Sequence, residues 1–159
     1  MTHPVFAVPL RYGKLSIMPC PPADDVTFLM ARLAASGVTD VVSLLSAEDI
    51  ATLRLDAEPQ ACAAAGIAFW SFPIEDFGLP DPARFNDLIK DLNDRLLGGA
   101  HLVVHCRAGI GRSGMVAAAL LMAQGDTAAV AIQKVSTARG VSIPDTVEQG
   151  RFITSLQKS

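Results

Sequence analysis

Apolar residues along this chain keep two rhythms: short continuous runs suited to buried strands, and a 3.6-residue spacing suited to helices. Pro4 to Ile17 reads as an extended opening hairpin. From Pro22 to Ser36 the apolar positions Val26, Leu29, Met30 and Leu33 fall on one helical face, and Gly37 ends the run. Thr39 to Leu45 is a buried strand, after which Ser46 caps a short acidic helix. A further helix is predicted from about Asp56 to Ala65, then a strand from Ile67 to Phe72. Pro82 to Leu97 is a helix that opens on an Asp81 cap with proline at its first position and stops at Gly98-Gly99. His101 to His105 is strand-like, and Ser113 to Ala123 is helix-like and almost wholly apolar. Asp126 is expected to cap a helix reaching Ala138. The last helix runs from Asp145 to about Leu156, with Asp145-Thr-Val-Glu148 as its capping box.

Strands that alternate with helices imply an α/β fold with a central, mostly parallel sheet flanked by helices on both faces. No linker, repeat or low-complexity tract interrupts residues 1–159, so a single catalytic domain is expected. In such a sheet, ligands sit outside the carboxyl ends of the strands. The loops after Phe72 and His105 both lie at that edge.

Half the residues are hydrophobic but only 6% are aromatic, so Ala, Val, Leu and Ile must build the core. Thirteen basic and sixteen acidic residues leave a net charge of −3, which argues against a general nucleic-acid or anionic-membrane binder. The longest apolar run, Gly114 to Ala123, is too short to span a bilayer. The opening residues lack a basic start followed by an apolar core, so no signal peptide is expected. Three cysteines do not suggest a disulfide framework, and a cytoplasmic protein with reduced thiols is expected. His3, His101 and His105 make no metal-ligand pattern, so neither metal nor other cofactor is expected. The oligomeric state is left open, with a monomer the simpler expectation.

The candidate chemistry lies in His105-Cys-Arg-Ala-Gly-Ile-Gly-Arg-Ser113, a glycine-bearing loop between a strand and a helix. Gly109 and Gly111 let the backbone take turns that a side chain would resist. The amide N–H groups of Arg107, Ala108, Gly109, Ile110, Gly111 and Arg112 can then point inward as an anion nest. The following helix adds its positive end to the same place. Those fields favour a thiolate at Cys106, the nucleophile. Arg112 offers a planar fork to two phosphate oxygens. Ser113 is placed to donate its hydroxyl to the Cys106 sulfur and so improve it as a leaving group. His105 is expected to hydrogen bond near Cys106 and orient it rather than to act as an acid or base.

This loop resembles the His-Cys-(five residues)-Arg-Ser/Thr signature of the protein tyrosine phosphatase superfamily. Chain size and loop position resemble the small dual-specificity branch, in particular proteins similar to kinase-associated phosphatase. The resemblance implies a cysteine-phosphatase-like fold and a phosphocysteine intermediate. It also implies a general acid on a mobile loop. Phe72-Pro-Ile-Glu-Asp-Phe-Gly-Leu-Pro80 is similar to the family's Trp-Pro-Asp loop, with Ile74 and Glu75 replacing Trp and Pro and Asp76 at the acid position. Glu75 and Asp81 are rival acids, and Asp81 reads better as the helix cap. Val141-Ser-Ile-Pro-Asp-Thr-Val-Glu-Gln149 resembles the family segment whose glutamine places the water that hydrolyses the phosphocysteine, which makes Gln149 a candidate for that role.

The expected substrate is a phosphorylated protein or small phosphate ester, with phosphotyrosine first and phosphoserine or phosphothreonine beside it. Arg107 also admits a phosphoinositide or inositol phosphate. Two other classes stay open: a sulfurtransferase of the rhodanese type, and a non-catalytic phosphate-binding module. Cys20 and Cys62 are the candidate partners for Cys106 under oxidation.

Overall fold

A computed structural model describes residues 3–157 of the chain. Five strands form one sheet: β1 (Phe6–Val8), β2 (Lys14–Met18), β3 (Asp40–Ser43), β4 (Ala68–Ser71) and β5 (His101–His105). Their order is β1-β2-β5-β3-β4. β1 runs antiparallel to β2, and every other pairing is parallel. The expected hairpin and the mostly parallel sheet are both present. In the central strands side chains alternate between two cores. Leu102, Val104 and Val42 face one; Val103 and Val41 face the other.

Among the described residues, seven α-helices cover the two faces: α1 (Val26–Ala35), α2 (Ala47–Leu53), α3 (Glu58–Ala64), α4 (Pro82–Leu97), α5 (Gly111–Ala123), α6 (Ala128–Arg139) and α7 (Val147–Ser155). α1 and α3 pack on the smaller core through Val26, Leu29, Met30, Leu33, Ala61 and Cys62. The larger core is filled by α4, α5, α6 and α7. α5 is buried along nearly its whole length, as an apolar run behind a loop requires. Among the described residues, no helix is long and apolar enough to cross a membrane.

Helix starts differ from expectation at several places: α1 begins at Val26 rather than Pro22, after a single 3-10 turn at Ala23–Asp25, and α3 begins at Glu58 rather than near Asp56. α5 begins at Gly111, not Ser113, so Arg112 belongs to its first turn, and no side chain caps it. Thr127, not Asp126, caps α6: its extended backbone lets Oγ1 accept the Val130 N–H, while Asp126 turns to accept from Lys134 Nζ at 2.9 Å. α7 is capped by Thr146 rather than Asp145, because the backbone is extended at Thr146 and its hydroxyl accepts the Gln149 N–H at 3.0 Å. The α4 start is as expected, with Asp81 accepting the Arg84 N–H.

Candidate active site

The parallel strands deliver four loops to one edge of the sheet. β5 ends in His105 and leads into Cys106; β3 leads through Ser46 into α2; β4 leads into the Asp76 loop; β2 leads into Cys20. Backbone bonds lace these loops together: Leu44 N–H to His105 O, Ile74 N–H to Leu44 O, and Cys20 N–H to Arg107 O, the last at 3.0 Å.

The Cys106 loop is shaped by contacts on its outer side. Arg139 donates to the carbonyls of Gly109 (3.2 Å) and Ala108 (3.1 Å), and Cys20 N–H binds the Arg107 carbonyl. Three consecutive carbonyls are thereby held from outside, which leaves the N–H groups of this turn for an anion. The uncapped first turn of α5 adds its own unpaired N–H groups. Gly109 has φ +74, and a Cβ there would meet the Met18 carbonyl at 2.7 Å, so both conformation and space demand glycine. Gly111 serves differently from expectation. Its φ is ordinary, but a Cβ would meet the Asp145 carboxylate at 2.3 Å and Gln149 Oε1 at 2.9 Å, so its smallness lets α7 approach.

Arg112 is the centre of the site's electrostatics. Its side chain is 1% exposed and spans two acids: Nη1 donates to Asp49 Oδ2 at 2.6 Å and to Ile74 O at 2.9 Å, and Nη2 donates to Asp76 Oδ1 at 3.0 Å. Burial would lower the guanidinium's affinity for its proton, but the hydrogen bond it donates to Asp49 and the charges of Cys106, Asp49 and Asp76 raise it instead. Burial pushes Asp49 up; its bonds from Arg112 and Ser46 more than reverse this and hold it below the usual carboxylate range. Asp49 also closes the α2 capping box with Ser46, so the helix start fixes the acid that fixes Arg112. Asp76 differs: its side chain is 38% exposed and sits in a tight turn where Gly78 N–H bonds Glu75 O. Phe77 in that turn has φ +59, unusual for a bulky residue.

Gln149 is fully buried and bridges two regions. Its Oε1 accepts the Asp145 N–H at 3.1 Å, and its Nε2 donates to the Gly78 carbonyl at 3.2 Å, beside Asp76. The structure therefore brings Cys106, Arg112, Asp76 and Gln149 to one edge. Ser113 corrects an expectation. Its Oγ is buried and has no hydrogen-bond partner among the described residues, so it makes no bond to the Cys106 sulfur here. The early start of α5 places Ser113 in the helix's third position. Arg107 is half-exposed, with its guanidinium 3.9 Å from Asp49 Oδ1. His105 is buried, with Nδ1 at 3.3 Å from the Cys106 carbonyl and Nε2 at 2.5 Å from Glu58 Oε2.

The two spare thiols are unequal. Cys62 is buried in α3, and burial followed by the charge of Glu58 pushes it up to about 12. Cys20 lies against the Cys106 loop and is also raised, by burial and then by Cys106. Sequence reasoning missed Asp49, Glu58 and Arg139. The Ser-x-x-Asp spacing at Ser46–Asp49 was the one available signal, and it pointed to a cap rather than to Arg112.

Residues 9–151 match the family model PTP-SAK, described as the Swiss Army Knife protein, DSP-PTPase phosphatase domain. The chain belongs to this family. It is a small dual-specificity phosphatase domain, and the expected resemblance to kinase-associated phosphatase holds. Cyclin-dependent kinase inhibitor 3 of Homo sapiens is 28% identical over 124 residues, 77% of this chain and 58% of that protein. The aligned segment thus spans little more than half the length of that relative. The protein tyrosine phosphatase domain-containing protein 1 of Mus musculus is 37% identical over 64 residues, 40% of this chain and 8% of that protein. Among solved structures, kinase associated phosphatase with its catalytic-site cysteine changed to serine superposes with a TM-score of 0.89 at 21% identity, covering 98% of this chain and 94% of that one. Tk-PTP in the active form gives 0.77 at 24% identity, covering 94% and 95%. Both share the fold.

Proposed function

We propose that the chain is a cysteine-dependent phosphatase that hydrolyses phosphate monoesters of proteins through a phosphocysteine, acting as a single catalytic domain. One observation carries this reading: Arg112 of the Cys106 loop donates to Asp76 of the acid loop at 3.0 Å, across 36 residues of sequence. Nucleophile, anion clamp and acid therefore belong to one site.

In the proposed reaction the phosphate enters the turn of N–H groups, and two of its oxygens take the Arg112 fork. Asp76 yields its place on Nη2, while Asp49 keeps the guanidinium level from Nη1. The Cys106 thiolate attacks phosphorus in line, and the P–O bond to the leaving group breaks. Asp76 gives its proton to the departing oxygen. Water then attacks the phosphocysteine, its proton passing to Asp76 and its position set by Gln149. Phosphate leaves, and the thiolate returns. Ser113, buried and without a hydrogen-bond partner among the described residues, turns toward the sulfur when the S–P bond breaks.

A protein substrate is favoured over an inositol phosphate. Besides Arg112, the basic side chain that the loop itself carries, Arg107, shares its charge with Asp49. Phe77, Leu79 and Val147, near the Gln149–Gly78 bond, are exposed and apolar. Such a rim suits a peptide segment better than a polyanion. Phosphotyrosine and phosphothreonine peptides, an aryl phosphate and an inositol phosphate, each assayed with chelator present for wild type and Cys106→Ser, test the proposal. Cysteine-dependent release from the peptides is expected. No phosphate release from any ester but sulfite release from thiosulfate in the presence of a thiol acceptor would replace it with a sulfurtransferase, and phosphopeptide binding with no release would replace it with a binding module.

A further inference from the structure

Beside the anion nest stands a carboxylate that the proposed reaction does not use. Asp145 precedes the Thr146 cap of α7, and its carboxylate lies against Gly111, the first residue of α5, so closely that a Cβ on Gly111 would run into it. Arg112, whose fork takes the phosphate, is the next residue of the chain. The three arginines around the loop are committed elsewhere. Arg112 spans Asp49 and Asp76, Arg107 is turned to Asp49, and Arg139 donates to the carbonyls of Gly109 and Ala108. Among the described residues, the Asp145 carboxylate has no ion-pair or hydrogen-bond partner, and the residue is exposed to water; its one polar contact is made by the backbone N–H.

Gln149 ties this acid to the rest of the site. Its Oε1 accepts the Asp145 N–H at 3.1 Å and would stand 2.9 Å from the same Cβ on Gly111. Its Nε2 donates to the Gly78 carbonyl at 3.2 Å, in the turn that carries Asp76. Both ends of the amide are engaged with backbone, and the residue is fully buried. Of the two side chains, Asp145 is the one that water reaches. Its negative charge opposes phosphate binding, so its contribution falls after the sulfur–phosphorus bond has formed. A carboxylate accepts hydrogen bonds and donates none, which suits it to a water molecule and not to a phosphate oxygen.

We infer that Asp145 is a further catalytic residue, acting in the second step: held in place by Gln149, its carboxylate accepts a hydrogen bond from the water that attacks the phosphocysteine. The water oxygen bonds phosphorus as the sulfur–phosphorus bond breaks and its electron pair returns to Cys106. One proton of the water passes to Asp76, as in the proposed reaction; the other stays on the oxygen and points to Asp145. Gln149 therefore sets the water's position through Asp145. The inference rests on the proposed phosphatase reaction, whose second half it details.

Asp145→Asn loses the charge but keeps an acceptor oxygen; Asp145→Ala loses both. Each keeps the backbone N–H that Gln149 holds, and substitution of an exposed side chain without partners leaves the fold intact. An aryl phosphate with a very good leaving group is mixed rapidly with each enzyme and quenched in acid. The phenol released in the first turnover reports formation of the phosphocysteine, and mass spectrometry of Cys106 reports its consumption. Formation is expected at the wild-type rate or faster in both variants. Consumption is expected to slow about thirtyfold in Asp145→Ala, the loss of one hydrogen bond to a charged group, and less than about fivefold in Asp145→Asn. In Asp145→Ala, steady-state kcat and KM should then fall together after a near-stoichiometric burst of phenol. Consumption at the wild-type rate in Asp145→Ala overturns the inference. Equal slowing in the two variants, which would assign the effect to charge alone, also overturns it, as does slowed formation with consumption unchanged. A wild type that carries no phosphate on Cys106 and releases none overturns the phosphatase reading, and this inference with it.

Discussion

Two arginine–aspartate networks stand at opposite ends of the same sheet, and their differences separate scaffold from site. At the amino end of β3, Asp40 is fully buried and its two oxygens accept from Arg95 Nη2 (2.7 Å), Arg95 Nε (3.0 Å), Trp70 Nε1 (2.8 Å) and Thr39 Oγ1 (2.5 Å). Here the acid is buried and the arginine is 47% exposed. At the carboxyl end the roles reverse: Arg112 is buried, one acid partner is fixed by a helix cap, and the other, Asp76, is partly exposed on a turn. A buried acid with every acceptor site filled has no room for a ligand. A buried arginine with one replaceable partner has a place for a phosphate.

Changing the arginine on each side should therefore break different things. Arg112→Lys keeps the charge but loses the fork, and kcat/KM is expected to fall about a hundred- to a thousandfold in steady-state assays. Arg95→Lys should leave turnover per folded molecule unaltered; equal loss from both would erase the distinction. Asp76→Ala tests replaceability. Phenyl phosphate turnover is expected to slow about a hundredfold or more, while an ester with a very good leaving group slows far less, because only the former needs the acid. Equal slowing of both would assign the acid elsewhere, with Glu75 the next candidate.

A smaller effect is expected at the amino end. Asp40→Asn removes a charge-assisted bond and should cost about 1.5–3 kcal/mol in denaturant unfolding, with kcat unchanged. Its pH dependence is specific. Burial raises the Asp40 carboxyl, and the bonds from Arg95, Thr39 and Trp70 with the Arg95 charge lower it further than burial raises it. Its contribution to stability is therefore complete above about pH 3.9, the unfolded-state value, and is lost as pH falls through the lower folded-state value. Asp40→Asn should accordingly lose less stability than wild type on acidification; Asp49, also held low, keeps part of the slope in both. Trp70→Phe removes one donor to Asp40 and is expected to cost about 1 kcal/mol, with activity intact. An activity loss in either variant would mean that the two ends of the sheet are coupled.

The two ends were not equally legible in the sequence. Cys106, Arg112 and Asp76 stood out because each motif is contiguous and its residue types are rare in combination. Strands and helices were legible because β5 and α5 are apolar runs and α1 and α4 have clean faces. The caps of α6 and α7 fell on Thr127 and Thr146, one residue from Asp126 and Asp145, since neighbouring residues had equal capping chemistry and only the backbone conformation chooses between them, while α5 begins at Gly111 with no capping side chain to mark its start. Asp49, Glu58 and Arg139 were invisible for another reason. Locally they read as helix-end charges, and their partners lie 63, 47 and 30 residues away. The Arg95–Asp40 pair, 55 residues apart, was hidden in the same way. Ser113 was misplaced because a loop motif fixes residue type without fixing where the helix begins.

The most direct test is a crystal structure of Cys106→Ser with phosphate bound. Phosphate is expected in the turn of N–H groups, with Arg112 bonded to two of its oxygens, Asp49 still on Nη1 and Asp76 released from Nη2. A phosphate bound elsewhere, or one seated in the turn with the Arg112–Asp76 bond intact, would contradict it.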